Sequence, residues 1–187
     1  MISLRKKELF REKIKEGVRL IIEGLGYSLD DENFRATPRR VADMLEEFIL
    51  GNRYEEEPVR FTQQSDLVIV SDIKSFSFCP HHLLPVIYNT SIAYIPKGKV
   101  VGVSKPVRVV YDATSQFILQ EDATELIAEN LIKLTDSNDV MVVVRGEHFC
   151  MRMRGVKANA VVITSAVRGA FKENFMLRHE TLRLMEG

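Results

Sequence analysis

Both cysteines of the chain stand beside histidines, and this pairing limits the possible folds more than any other feature. Cys79 opens Cys79-Pro80-His81-His82, and Cys150 closes His148-Phe149-Cys150. Three of the four histidines therefore lie in two short segments about seventy residues apart. Thiol and imidazole together form the donor set that a zinc ion selects. If both segments hold one ion, the chain between them must fold so that its two ends return to one place.

The spacing within each segment divides the residues by role. Cys79 and His82 are three residues apart, which a tight turn or a first helical turn brings to one ion. His81 and His82 are adjacent and point in different directions, so a ligand at His82 leaves His81 for proton transfer. The run from His148 to Arg154 alternates with period two. As a strand it would place His148, Cys150, Arg152 and Arg154 on one face, with Phe149, Met151 and Met153 toward a core. Cys79, His82 and Cys150 make three ligands. Structural zinc usually has four protein ligands, whereas catalytic zinc keeps a position for water, so the count favours catalysis. Taken singly, each cysteine also reads as a small buried hydrophobe; their joint pattern with three histidines argues against that.

Composition narrows the setting. The chain has 187 residues, enough for a core without disulfides. The N-terminus reaches charge at Arg5-Lys6-Lys7 with no apolar stretch of signal-peptide length. No segment approaches the roughly 20 apolar residues of a membrane span. A cytoplasmic, reduced protein is expected, where Cys beside His more often means metal than disulfide. The 26 basic residues are balanced by 26 acidic ones, without the basic excess of a general nucleic-acid binder. Neither nucleic acid nor membrane is expected as a partner.

Periodicity predicts helices first and a mixed region afterwards. Phe10, Ile14, Val18, Ile21 and Leu25 recur at helical steps, with Gly26 as a stop. Thr37 is a candidate N-cap with Pro38 at the first helical position, and Val41, Met44, Leu45, Phe48 and Ile49 form the stripe that follows. After Pro58 the pattern changes, which divides the chain into a helical region, 1–58, and a second domain, 59–187. Strands are expected at Leu67 to Val70 with Phe76 and Phe78, and at Val86 to Ile95. Pro96-Lys97-Gly98-Lys99 should then turn a hairpin into Val100 to Val103. Helices should follow, one through Val107, Val110 and Tyr111 and one from Ala123 to Leu134 that stops at Asp136-Ser137-Asn138. Strands at Val140 to Val144 and Val161 to Ser165 and a C-terminal helical piece complete the order. It argues for an α+β fold with an antiparallel sheet and helices on one face.

Further groups suit a phosphorylated base. Ser104-Lys105-Pro106-Val107-Arg108 opens a helix that Ser104 can cap, and cations at a helix N-terminus bind phosphate well. Arg152 and Arg154 would add positive charge. Glu121, after Gln120, either favours a helix dipole or accepts two hydrogen bonds from a guanine edge, where a ring N–H and an amino group lie side by side.

These segments, in this order and spacing, resemble the GTP cyclohydrolase I family. The carrying motifs are Cys79-Pro80-His81-His82, Gly102 to Arg108, Gln120-Glu121 and His148 to Gly155, supported by Thr37 to Val41 and by Thr164-Ser165 through Gly169 and Phe171. Pro80 stands where the family commonly carries Glu. The resemblance implies a tunnelling fold, an antiparallel four-stranded sheet with two helices on one face, preceded by helices. It implies a homodecamer of two stacked pentamers with active sites at subunit interfaces. It implies that Cys79, His82 and Cys150 bind Zn2+ and that His81 and His148 move protons while the imidazole ring of GTP opens at C8. Formate would leave and 7,8-dihydroneopterin triphosphate would form. Gln120 and Glu121 would hold the base, Lys105, Arg108 and Arg154 the triphosphate, and Ser104 would lie near the ribose and phosphates.

Overall fold

The computed structural model describes residues 10–50, 60–62 and 65–186. They fall into two compact units divided between Arg53 and Tyr54. That division and the boundary expected after residue 58 both lie in 51–59, outside the described residues.

The first unit is a pair of packed helices, α1 (Arg11–Gly24) and α2 (Thr37–Leu50). On α1 the covered stripe runs through Ile14, Val18 and the buried Ile22, while Phe10, Ile21 and Leu25 are exposed. Steps of four therefore select the inward face, and the expected stripe through Ile21 is corrected. Gly26 closes the helix at φ 84°, a left-handed conformation that glycine reaches without a Cβ penalty. Thr37 is not the N-cap of α2. The Arg40 N–H donates to the Ala36 carbonyl at 3.0 Å, so the helix starts one residue earlier. The Thr37 hydroxyl instead donates to the Asn33 carbonyl at 3.3 Å.

The second unit is built on an antiparallel sheet in the order β2 (Val68–Phe78), β3 (Pro85–Tyr94), β5 (Val140–His148), β6 (Val162–Val167). The sequence between β3 and β5 first forms β4 (Val100–Val101), which pairs with β1 (Arg60–Phe61) in a separate ribbon. The expected hairpin through Pro96–Lys99 therefore does not form with β3. Both edges of β3 are already taken, by β2 and β5, so Val100 and Val101 have no edge there to join.

Period two in the strands sorts the sheet into two faces. Val86, Tyr88, Ile92 and Tyr94 of β3 meet Val140, Val142 and Val144 of β5 on one face. Over it pack α3 (Ser104–Thr114) and α4 (Gln120–Thr135), through Val110, Ala113, Leu126, Ile127 and Leu131. Each fully buried Val, Ile or Leu side chain among these contributes about 1.5–3 kcal/mol relative to exposure. Ala93, Met141 and Val143 point the other way, beneath Phe171 of α6 (Ala170–Glu173) and Met185 of α7 (Phe175–Glu186). The antiparallel sheet with two helices on one face is as expected. The C-terminal helices additionally cover part of the opposite face. Asp136, at φ 59°, ends α4 with its N–H on the Ile132 carbonyl, as the Asp136-Ser137-Asn138 stop implied.

Candidate metal centre

The first half of the centre is the connection between β2 and β3. Two backbone bonds close it: the Cys79 N–H donates to the Leu84 carbonyl and the Leu83 N–H to the Cys79 carbonyl, both at 2.9 Å. Pro80 occupies the turn position directly after Cys79, where its fixed φ suits the bend. Leu83, at φ 54°, completes the reversal. Cys79 is buried, and His81 and His82 are exposed. The Cys79 Sγ lies 3.8 Å from His81 Nδ1 and 3.7 Å from His82 Nδ1. The expected local pairing of Cys79 with His82 is therefore present.

The second half differs from the extended strand that alternation suggested. β5 ends at His148, and Phe149–Arg152 forms a short helical turn, α5, closed by the Met153 N–H on the Phe149 carbonyl at 3.0 Å. Ladder pairing explains the change. His148 pairs with Val86, the last β3 partner, and β6 has already ended its pairing at Gly146. Beyond His148 the backbone has no neighbouring strand, so a helical turn satisfies it instead. Cys150 consequently leaves the strand register, and Arg152 turns to the carboxylate of Glu147. Arg154 is exposed, with its guanidinium against His82 Nε2.

The bend brings the three candidate ligands together. Donor atoms of Cys79, His82 and Cys150 all lie within 4.8 Å of one another. Both cysteines are free thiols. Burial pushes the Cys150 thiol upward from its ordinary value, and the neighbouring Cys79 adds to the shift. A thiol that resists ionising, set beside a second sulfur and an imidazole, is a donor set that a divalent cation satisfies by stabilising the thiolate. The residues present thus fit a metal ion.

His148 and Gln120 form a second cluster at this end of the sheet. Their side chains meet at 2.7 Å, Gln120 Oε1 to His148 Nε2. Burial lowers the His148 pKa below 6.5, and the charge of Glu121 opposes that shift. Tyr88 stacks edge-on to His148 with ring centroids 6.3 Å apart. Burial pushes its phenol up to about 12, so it stays neutral.

The other candidates occupy helix openings. Glu121 is exposed in the first turn of α4. Gln120 begins that helix but is only 2% exposed, and its amide is bonded within the sheet rather than offered to a ligand. Ser104, Lys105 and Arg108 lie in the first turns of α3. Val103 occupies the N-cap position and Ser104 is the first residue inside the helix, which corrects the expected cap. Sequence reasoning missed Gly146 and Thr124 as parts of this architecture, and took Thr164 only as part of a motif without its contacts to Gln120 and Thr124. The available signal was Gly146 itself, since an isolated glycine in a strand often marks a close approach.

The model of the GTP cyclohydrolase I family matches residues 14–186. GTP cyclohydrolase 1 of Hyperthermus butylicus is 44% identical over 176 residues, covering 94% of this chain and 91% of that protein. The Clostridium perfringens protein of the same name is 43% identical over 180 residues, covering 94% and 97%. That of Bacillus subtilis is 42% identical over 184 residues, covering 94% and 96%. With a ligand-type cluster at the position its motifs require and similarity along nearly its whole length, the chain belongs to the GTP cyclohydrolase I family.

Proposed function

We propose that this chain hydrolyses GTP as a GTP cyclohydrolase I, opening the guanine imidazole ring, releasing formate and giving 7,8-dihydroneopterin triphosphate. The observation that carries this reading is the convergence of Cys79, His82 and Cys150 within 4.8 Å in a chain of this family. Two thiols and one imidazole suit zinc and leave a fourth position for water. When bound, zinc supplies a Lewis acid that makes water a nucleophile near neutral pH.

The chain's own groups account for the remaining work. Burial favours the neutral form of His148, so this imidazole can accept a proton and later return it. His81, exposed on the turn beside the ligands, moves protons on the other side. The Glu121 carboxylate accepts from the guanine ring N–H and its amino group. Lys105, Arg108 and Arg154 bind the triphosphate, and Ser104 lies near the ribose and phosphates. The working form is a homo-oligomer, a decamer of two pentamers with sites at subunit interfaces. Phe76 on one edge strand of the sheet and Val161 and Ile163 at the other are exposed apolar side chains of the kind that assembly covers. Among the described residues, no helix is long and apolar enough to cross a membrane, and a cytoplasmic setting suits this chemistry. Zinc-loaded protein given GTP is expected to release formate and a product that oxidises to fluorescent neopterin. No formate at high protein concentration and full zinc content would overturn the assignment.

A further inference from the structure

We propose that Gln120 is a positioning residue that holds His148 in the tautomer protonated on Nε2, leaving Nδ1 as its proton-transfer atom. The catalytic meaning of this rests on the function proposed above, but the structural claim does not.

The amide of Gln120 has only one workable orientation. Its Nε2 lies 3.0 Å from the Val144 carbonyl, 3.0 Å from the Val162 carbonyl and 3.1 Å from Thr164 Oγ1. Carbonyl oxygens only accept, so the donor end of the amide must face them. The hydroxyls enforce the same direction. Thr124 Oγ1 lies 2.7 Å from the Gln120 backbone carbonyl, and in that contact only the threonine can donate. Its one proton is then committed. In the 2.6 Å contact between Thr124 and Thr164, the donor must be Thr164. Thr164 can therefore only accept from Gln120. The bonds form a ring that runs one way, from the Gln120 side chain through two threonines to its own backbone.

With the nitrogen end fixed, Oε1 is the atom 2.7 Å from His148 Nε2. An amide oxygen cannot donate, so Nε2 must carry the hydrogen. A neutral imidazole has one N–H, which leaves the lone pair on Nδ1. Gly146 makes room for this contact. A Cβ there would stand 2.1 Å from Gln120 Oε1 and 3.1 Å from His148 Nε2. The side chain of Gln120, buried and bonded at both ends, thus aims an imidazole rather than reading a base.

The test is the nitrogen-15 spectrum of zinc-loaded, full-length protein labelled at histidine, with His148 assigned against His148→Asn. At mildly alkaline pH, Nε2 should give a pyrrole-type signal coupled to a proton and Nδ1 a pyridine-type signal. The reverse pattern overturns the proposal, whatever the protein does with GTP. Gln120→Met should release the tautomer preference and lower kcat about 10- to 100-fold with little change in KM for GTP. A raised KM at unchanged kcat would overturn it and show that Gln120 holds the base. The first measurement uses unaltered protein, so it decides the matter even if the variant fails to fold.

Discussion

The Cys79–Leu84 turn carries two proposed ligands and a histidine within four residues, and its own backbone closes it. The His148–Cys150 segment supplies one ligand and one imidazole, and depends on residues far away in sequence. Its bend exists because neighbouring strands end. Its histidine is held from α4 and its arginine is held by Glu147. The turn is local and exposed from Pro80 to Leu83, whereas the strand end is non-local and partly buried. Placement of proposed ligands can thus be encoded in a short motif, while orientation of a proposed proton-transfer group is encoded in packing.

The sharpest way to break this comparison is to remove a group from each half. Cys79→Ser and Cys150→Ser should both lose tightly held zinc, with formate release falling more than about 100-fold. His148→Ala should keep a full zinc content while turnover falls about 100- to 10,000-fold. Metal analysis beside the formate assay separates the two classes. Zinc lost from His148→Ala would place that imidazole among the ligands and erase the distinction between the halves.

Gly146 offers a smaller perturbation confined to the strand half. In Gly146→Ala the new methyl would meet Gln120 Oε1 at 2.1 Å and its Cδ at 3.0 Å. Both atoms belong to a side chain tied down by three further contacts, so relief is costly. Overpacking of this kind costs about 1–3 kcal/mol, readable as a lower urea midpoint. Zinc content should be unchanged, because the nearest atoms to the new methyl belong to Gln120 and His148 and to none of the three proposed ligands. Unaltered stability would mean that Gln120 moves freely, contrary to the ring of bonds described above.

Legibility followed the same division. Cys79, Pro80 and His82 could be read as a unit because turn geometry acts over a few residues. The α4 stop at Asp136 was legible for the same reason. The run His148 to Arg154 misled because period two is a property of paired strands, and the sequence does not display where the partner strands end. The hairpin at Pro96–Lys99 failed similarly: the turn signal was sound, but the edge of β3 was occupied by β5, which comes much later in the chain. Gln120 illustrates a third limit. Its place beside Glu121 suggested a shared ligand, whereas its burial under Gly146 depends on the register of β5 against β6.

The smallest expected effect lies in the pH dependence of stability, and it too belongs to the strand half. Burial lowers the folded-state pKa of His148 below its ordinary 6.5. Above that value the imidazole is neutral in both folded and unfolded chains, and its burial carries no protonation penalty. As pH falls through 6.5 the unfolded chain takes up a proton that the folded chain still refuses. Stability therefore declines with falling pH until the folded-state value is passed, and changes no further below it. Urea unfolding between pH 7.5 and pH 5, with chelator present to exclude metal linkage, should show this slope reduced in His148→Asn. His81→Asn removes an imidazole from the exposed turn and serves as the opposing case. If the slope vanished there and persisted in His148→Asn, the buried strand end would not be the half that resists protonation.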